Sequence, residues 1–129
     1  MKKIQLLLLF LTPLFFANCD QFYCVEYTIS NTSDKDINVR FSSQEFEIPQ
    51  KQIVVKSNSN AVLHEYFASG QQTNTYLKNL NTLAFDNLTI STTDSISYNK
   101  NPININLWQK NKERKTDGCG NIVLKVTAN

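Results

Sequence analysis

Glycine and proline are scarce in this chain, three residues each among 129, and histidine and tryptophan occur once. One histidine cannot supply the paired-histidine ligand sets common in zinc enzymes, and the expected companions are not near it. With so little glycine there is no phosphate-cradling loop and no nucleophile elbow. A membrane-spanning run of about 20 apolar residues is missing too; the longest is about 14 and contains Pro13. No internal repeat or domain linker stands out, and no long helical pattern is convincing. These absences remove the familiar signatures of metallohydrolases, NTPases and nucleophilic hydrolases, and they point to no cofactor. The reading is of a protein that is not an enzyme, with no catalytic set and no metal site.

What is present begins at the amino terminus. Met1-Lys2-Lys3 is a charged leader, and Ile4 to Ala17 is apolar except for Gln5, Thr12 and Pro13, the layout of an export signal. A conventional cut after Ala17 would leave Phe15 at the third position before it, where a small residue is wanted. Phe16-Ala17-Asn18-Cys19 instead resembles the lipobox of bacterial lipoproteins, departing from it at Phe16 and Asn18. That resemblance implies diacylglyceryl lipid on Cys19, a signal peptide over residues 1–18 and one domain over 19–129, held to a membrane by its N-terminal lipid. An ordinary or uncut signal is the alternative.

Three cysteines occur, Cys19, Cys24 and Cys119. Assigning Cys19 to lipid leaves an even pair, and in an oxidising compartment Cys24 and Cys119 can bridge; closing a loop of about 100 residues stabilises by up to about 4.7 kcal/mol in the chain-entropy picture. A Cys24–Cys19 bridge, or free thiols, are the other readings. The full chain carries 13 basic and 11 acidic residues. Without Lys2 and Lys3 the two signs balance, so the electrostatic footprint of a nucleic-acid partner is missing.

From Tyr23 onward the recurrent pattern is alternation. Tyr23, Val25, Tyr27 and Ile29 fall on one strand face; Asn31 to Lys35 is turn chemistry; Ile37, Val39 and Phe41 alternate again. Phe46 and Ile48 run into Pro49, which suits an edge. Gln52–Lys56 and Ala61–Phe67 form the next pair of strands. Ser69 to Asn81 breaks the pattern and is expected as loop rather than as a helical turn over Thr75–Leu80. Further strands are expected at Leu83–Phe85, Leu88–Thr92, Ile96–Tyr98, Ile103–Leu107 and Ile122–Val126. About eight or nine short strands at spacings of about 8 to 12 residues predict an all-β antiparallel β-sandwich, immunoglobulin-like or similar, with a small β-barrel as the alternative. Asparagine, 16 residues, takes the place of glycine in the turns.

Several clusters bear on possible chemistry. His64 sits in a predicted strand, where an exposed or satisfied histidine is the simpler reading, and a Cys–His pair would need a reduced thiol. Glu45 and Glu47 would share a strand face, as paired carboxylates of an acid–base site do, or as solvated charges on an edge. Asp34 and Asp36 lack the spacing of a calcium loop. Lys110, Lys112, Arg114 and Lys115 form the one basic cluster, suited to anionic headgroups or to a solvated connection. Trp108 and most phenylalanines are core candidates, while an exposed aromatic would suit sugar stacking.

The layout resembles small lipoproteins of the Bacteroidota, in Tyr27-Thr28-Ile29-Ser30-Asn31-Thr32-Ser33, in Phe85-Asp86-Asn87 and in Asp94-Ser95-Ile96-Ser97-Tyr98. The resemblance implies an outer-membrane lipid anchor facing the periplasm or the cell surface, and an O-glycosylation signal at Asp94-Ser95-Ile96 with Ser95 as acceptor. In some bacteria an aspartate at the place of Asp20 directs inner-membrane retention. Tyr23-Cys24 is faintly similar to small disulfide-bonded lysozyme inhibitors, although Ser69-Gly70-Gln71-Gln72 lacks the aromatic neighbour of their inhibitory loop. Two functional expectations result: a non-enzymatic binding module for an envelope protein or glycan, or an inhibitor or immunity lipoprotein that blocks a hydrolase such as lysozyme through Ser69 to Asn81.

Overall fold

The computed structural model describes residues 22–94, 98–111 and 119–127. Cys19, Ser95 and the basic residues Lys112, Arg114 and Lys115 lie outside them. Seven strands are formed among the described residues: β1 (Phe22–Asn31), β2 (Ile37–Ser43), β3 (Ile48–Val55), β4 (Ser59–Ser69), β5 (Asn87–Thr92), β6 (Trp108–Asn111) and β7 (Cys119–Val126). One helix, α1 (Thr73–Asn79), follows β4. The strands make two sheets, ordered β4-β1-β7-β6 and β3-β2-β5. The fold is all-β and sandwich-like, and neither sheet closes into a barrel.

Alternation explains most of the packing. Val25, Tyr27 and Ile29 of β1 and Ile122, Leu124 and Val126 of β7 turn the same way, and all are buried. They join Ile37, Val39 and Phe41 of β2 and Leu88 and Ile90 of β5 in one core. Burying each such side chain is worth about 1.5–3 kcal/mol. The expected antiparallel arrangement is corrected at one place: β1 and β7 pair in parallel, Cys24 opposite Cys119 and Asn31 opposite Val126. A parallel pair needs a long connection, and here nearly all of the described chain lies between the two strands. The Cys24–Cys119 disulfide closes the pair, with Cα atoms 4.5 Å apart, inside the range a disulfide spans.

Two expected strands are not formed, and a third falls mostly outside the described residues. Leu83 and Phe85 are buried but join no ladder. Ile103 to Leu107 forms a turn and a short 3-10 segment at Ile105–Leu107. There Asn101 and Asn104 accept from the backbone N–H groups of Ile103 and Asn106, 3.2 and 3.1 Å away, and these local bonds compete with a ladder. Of Ile96–Tyr98, only Tyr98 is described, and it is not in a strand.

Of the expected loop over Thr75–Leu80, Thr75 to Asn79 belong instead to α1, which Leu80 ends in an extended conformation. Thr73 and Leu77, one helical turn apart, are both buried and cover Gly120, where an added Cβ would lie 2.6 Å from Leu77 Cδ1 and 2.7 Å from Thr73 Cγ2. Glycine is required at that position by the close approach of the helix. Tertiary packing therefore makes a helix from a segment with no amphipathic run long enough to announce one.

Asn31 ties the two sheets together. Its side chain is buried, and its Nδ2 donates to the carbonyls of Lys35, Val55 and Lys56 at 2.8, 3.1 and 3.1 Å. Its Oδ1 accepts from Ser33 N and Ser33 Oγ at 3.1 and 2.7 Å. The end of β1 is thereby joined to the approach to β2 and to the end of β3. Replacing Asn31 with Ala leaves buried carbonyls unpaired, so Asn31→Ala is expected to lower unfolding stability by about 2–3 kcal/mol. Urea unfolding monitored by tryptophan fluorescence measures this; a loss below about 0.5 kcal/mol, the range of ordinary surface substitutions, would contradict the role given to Asn31.

Candidate binding surface

The side chains singled out for chemistry do not converge. Glu45 and Glu47 lie in the β2–β3 turn rather than on one strand face, and Glu47 adopts a positive φ of 53°. Asp36 pairs with Lys56 at 2.8 Å and accepts from Ser57 N at 2.9 Å, so its carboxylate pins the β1–β2 turn to the β3–β4 turn and is held below its usual pKa by those partners. Lys110 donates through Nζ to the Leu80 carbonyl. Trp108 is buried and donates through Nε1 to the Pro102 carbonyl at 2.8 Å, which makes it a core residue. Cys24, Glu65 and Cys119 bring their ligand atoms within 4.8 Å of one another. Both sulfurs are engaged in the disulfide, so the group offers one carboxylate and no thiolate.

His64 belongs to an aromatic cluster at the β4 side of the sandwich. The β2–β3 turn carries Phe46 across to β4, where it stacks on the His64 imidazole with centroids 4.4 Å apart and contacts the Tyr66 ring at 4.9 Å. Behind them Tyr27 packs edge-on against Phe85 at 5.4 Å, and its hydroxyl meets that of Tyr76 on α1 at 2.8 Å. Burial pushes the Tyr76 hydroxyl above its usual pKa. This cluster joins the β2–β3 turn, β1, β4 and α1 into one packed end.

The other face of β4 is different. A β-bulge leaves Leu63 without a partner, since Tyr27 lies opposite His64 and Thr28 opposite Val62. Leu63 is buried, whereas Val62 is 53 % exposed and Phe67 66 % exposed. Glu65 lies between them on the same outer face, directly opposite Glu26 of β1, and Phe67 lies opposite Cys24. Glu65 Oε1 is 3.6 Å from Cys24 Sγ, a contact rather than a hydrogen bond because a disulfide sulfur carries no proton. Asn121 donates to Glu26 Oε2 at 3.3 Å and to Thr28 Oγ1 at 3.2 Å. The surface is thus an apolar residue, a carboxylate and an aromatic in a row along a strand edge, bordered by the disulfide. Sequence reading missed Val62 and Phe67 because strict alternation places Leu63, Glu65 and Phe67 together; only the bulge sends Leu63 inward while Phe67 stays out. The short polar gaps on either side of β4 carry no signal of it.

His64 gives the packed end a pH dependence. Burial, and secondarily the nearby Lys51 charge, lower its pKa below the usual value, with Glu65 opposing. A folded-state pKa below the unfolded one means that the unfolded chain takes up the proton first, so stability is full above about pH 6.5 and is lost as pH falls from there through the folded pKa. In His64→Gln this share of the pH dependence disappears, and chemical denaturation at a series of pH values between about 7.5 and 5 should show the smaller slope. An equal slope in both proteins would show that His64 is not responsible. Comparison with known proteins adds no assignment: no protein-family model, no curated protein and no solved structure matches the chain.

Proposed function

We propose that this chain is a non-enzymatic binding protein of the bacterial cell envelope, anchored by lipid on Cys19 and engaging a protein or a glycan through the outer face of β4. The observation that carries the reading is Phe67, a large aromatic left two-thirds exposed on a strand whose inner side chains are well packed. Leaving such a side chain in water forgoes about 1.5–3 kcal/mol of burial, a cost that a partner surface recovers. A disulfide suits an oxidising compartment, which agrees with export and with the lipobox resemblance. The hydrolase-inhibitor reading rested on Ser69 to Asn81 as a free loop, and half of that segment is α1, seated on Gly120 and tied through Thr73 Oγ1 to Cys24 N at 3.3 Å. A segment so anchored is poorly suited to insert into an active site.

Two measurements test the reading. Metabolic labelling with radioactive palmitate is expected to mark the wild-type protein and to spare Cys19→Ala; an unlabelled wild type removes the anchor. A photo-crosslinking residue placed at Val62 or Phe67 in cells should give a discrete adduct, whereas the same residue at the exposed Val54 of β3 should not. Adducts from Val54 alone would move the binding surface to the other sheet.

A further inference from the structure

The four sheet edges are not equivalent. On β3, Pro49 has no N–H to offer and Lys51 is exposed; proline and lysine are the usual devices that discourage strand addition. Beside β5, the Tyr98 N–H bonds the Ile90 carbonyl at 3.0 Å, so the following chain covers part of that edge. The β6 edge has only four residues and carries Lys110. The fourth edge, β4, has 11 residues with no proline, no lysine and no arginine, and Glu65 as its sole charge. Its ladder partner is β1 on one side only. Among the described residues, β4 is the one long edge without a lysine or proline guard.

The side chains on this edge say what would fit there. Glu65 and Glu26 lie directly opposite on the outer face, an arrangement of like charges that costs stability in a sheet. Of the two carboxylates, Glu26 accepts a hydrogen bond from Asn121, and Glu65 is exposed at the rim. We propose that β4 is a docking edge for an extended, basic polypeptide segment of another envelope protein, which adds to the sheet as a further strand. Its lysine or arginine side chain would sit beside Glu65 and relieve the opposed carboxylates. Apolar side chains on the same face would cover Val62 and Phe67, while its backbone would pair along the outer side of β4, the terminal strand of its sheet. A second copy of this chain is a poorer occupant, because β4 brings another carboxylate and no cation. This inference deepens the binding reading above and rests on it.

The probe is an acetylated, amidated peptide of about nine residues in which every second position, all on one strand face, reads valine, lysine, lysine, lysine, valine, with threonine between them, long enough to span most of the edge at ~3.3 Å per residue. It is titrated into the purified, disulfide-bonded domain and followed by amide NMR. The expected result is shifts concentrated on β4, with affinity reduced about tenfold or more by Glu65→Lys, equivalent to ~1.4 kcal/mol. Replacing the peptide's lysines by glutamates, or methylating its backbone nitrogens, should weaken binding as much. Glu65 and Phe67 are exposed, so Glu65→Lys and Phe67→Ser keep the fold, which circular dichroism verifies. Equal affinity for the glutamate peptide, shifts centred on another strand, or no binding overturns the proposal. Self-association through β4 without peptide would assign the edge to a second copy, and an oligosaccharide that shifts Phe67 while β4 amides stay still would assign it to a glycan; either result also overturns it. Cellular adducts at Phe67 that persist when the peptide fails would retain the binding surface and remove only strand addition, whereas loss of both removes both.

Discussion

The parallel pairing of β1 with β7, closed by the Cys24–Cys119 bridge, is the constraint on which the remaining architecture depends. It joins strands at a sequence separation of 95 residues, and a loop of that size gives a disulfide an entropic effect of about 4–5 kcal/mol in the chain-entropy picture. With β7 on one side of β1, only the other side is left for β4, and β4 therefore ends at the rim of the sheet. The same pairing sets Gly120 opposite Val25, where α1 closes over it. The place of β4 at the rim and the seat of the helix both follow from that one register.

Much of this could be read from the residues, and the parts that could not share a cause. The faces of β1 and β2 were legible because each strand packs one side on the core and keeps strict alternation. Pro49 marked its strand as an edge for a local reason, the missing donor. Cysteine parity, given lipid on Cys19, left Cys24 and Cys119 as a pair. By contrast, Asn31 looked like one more turn residue, since its carbonyl partners at Val55 and Lys56 are distant in sequence. Ile103 to Leu107 alternates as well as any strand, yet asparagine side chains satisfy its backbone locally. The exposure of Val62 in place of Leu63 depends on a bulge that arises from pairing with β1, and no local pattern encodes it. Where the deciding partner is local the sequence suffices, and where it is tertiary it does not.

On the proposed reading, stability and binding fall to opposite faces of β4. Inward, His64 and Tyr66 pack with Phe46, and the hydroxyl pair of Tyr27 and Tyr76 extends the contact to α1. Outward, Val62, Glu65 and Phe67 make few demands on the fold. A rigid inner face holds the outer row in place, so that the proposed partner would meet a preformed edge and lose little to ordering the protein. The disulfide beside Glu65 and Phe67 adds to that rigidity where β4 nears its end. An anchor a few residues before β1 would hold such a module close to a membrane, with other envelope proteins within reach.

The central claim is that β4 is an open edge in the free protein. Residue-resolved amide hydrogen exchange tests it most directly, because in an edge strand alternate N–H groups face the neighbouring strand and solvent. The account predicts slow exchange throughout the interior of β1 and β7, and along β4, on either side of the bulge at Leu63, an alternation in which every second amide exchanges rapidly. Uniform protection along β4 would contradict it, since the edge would then already be covered.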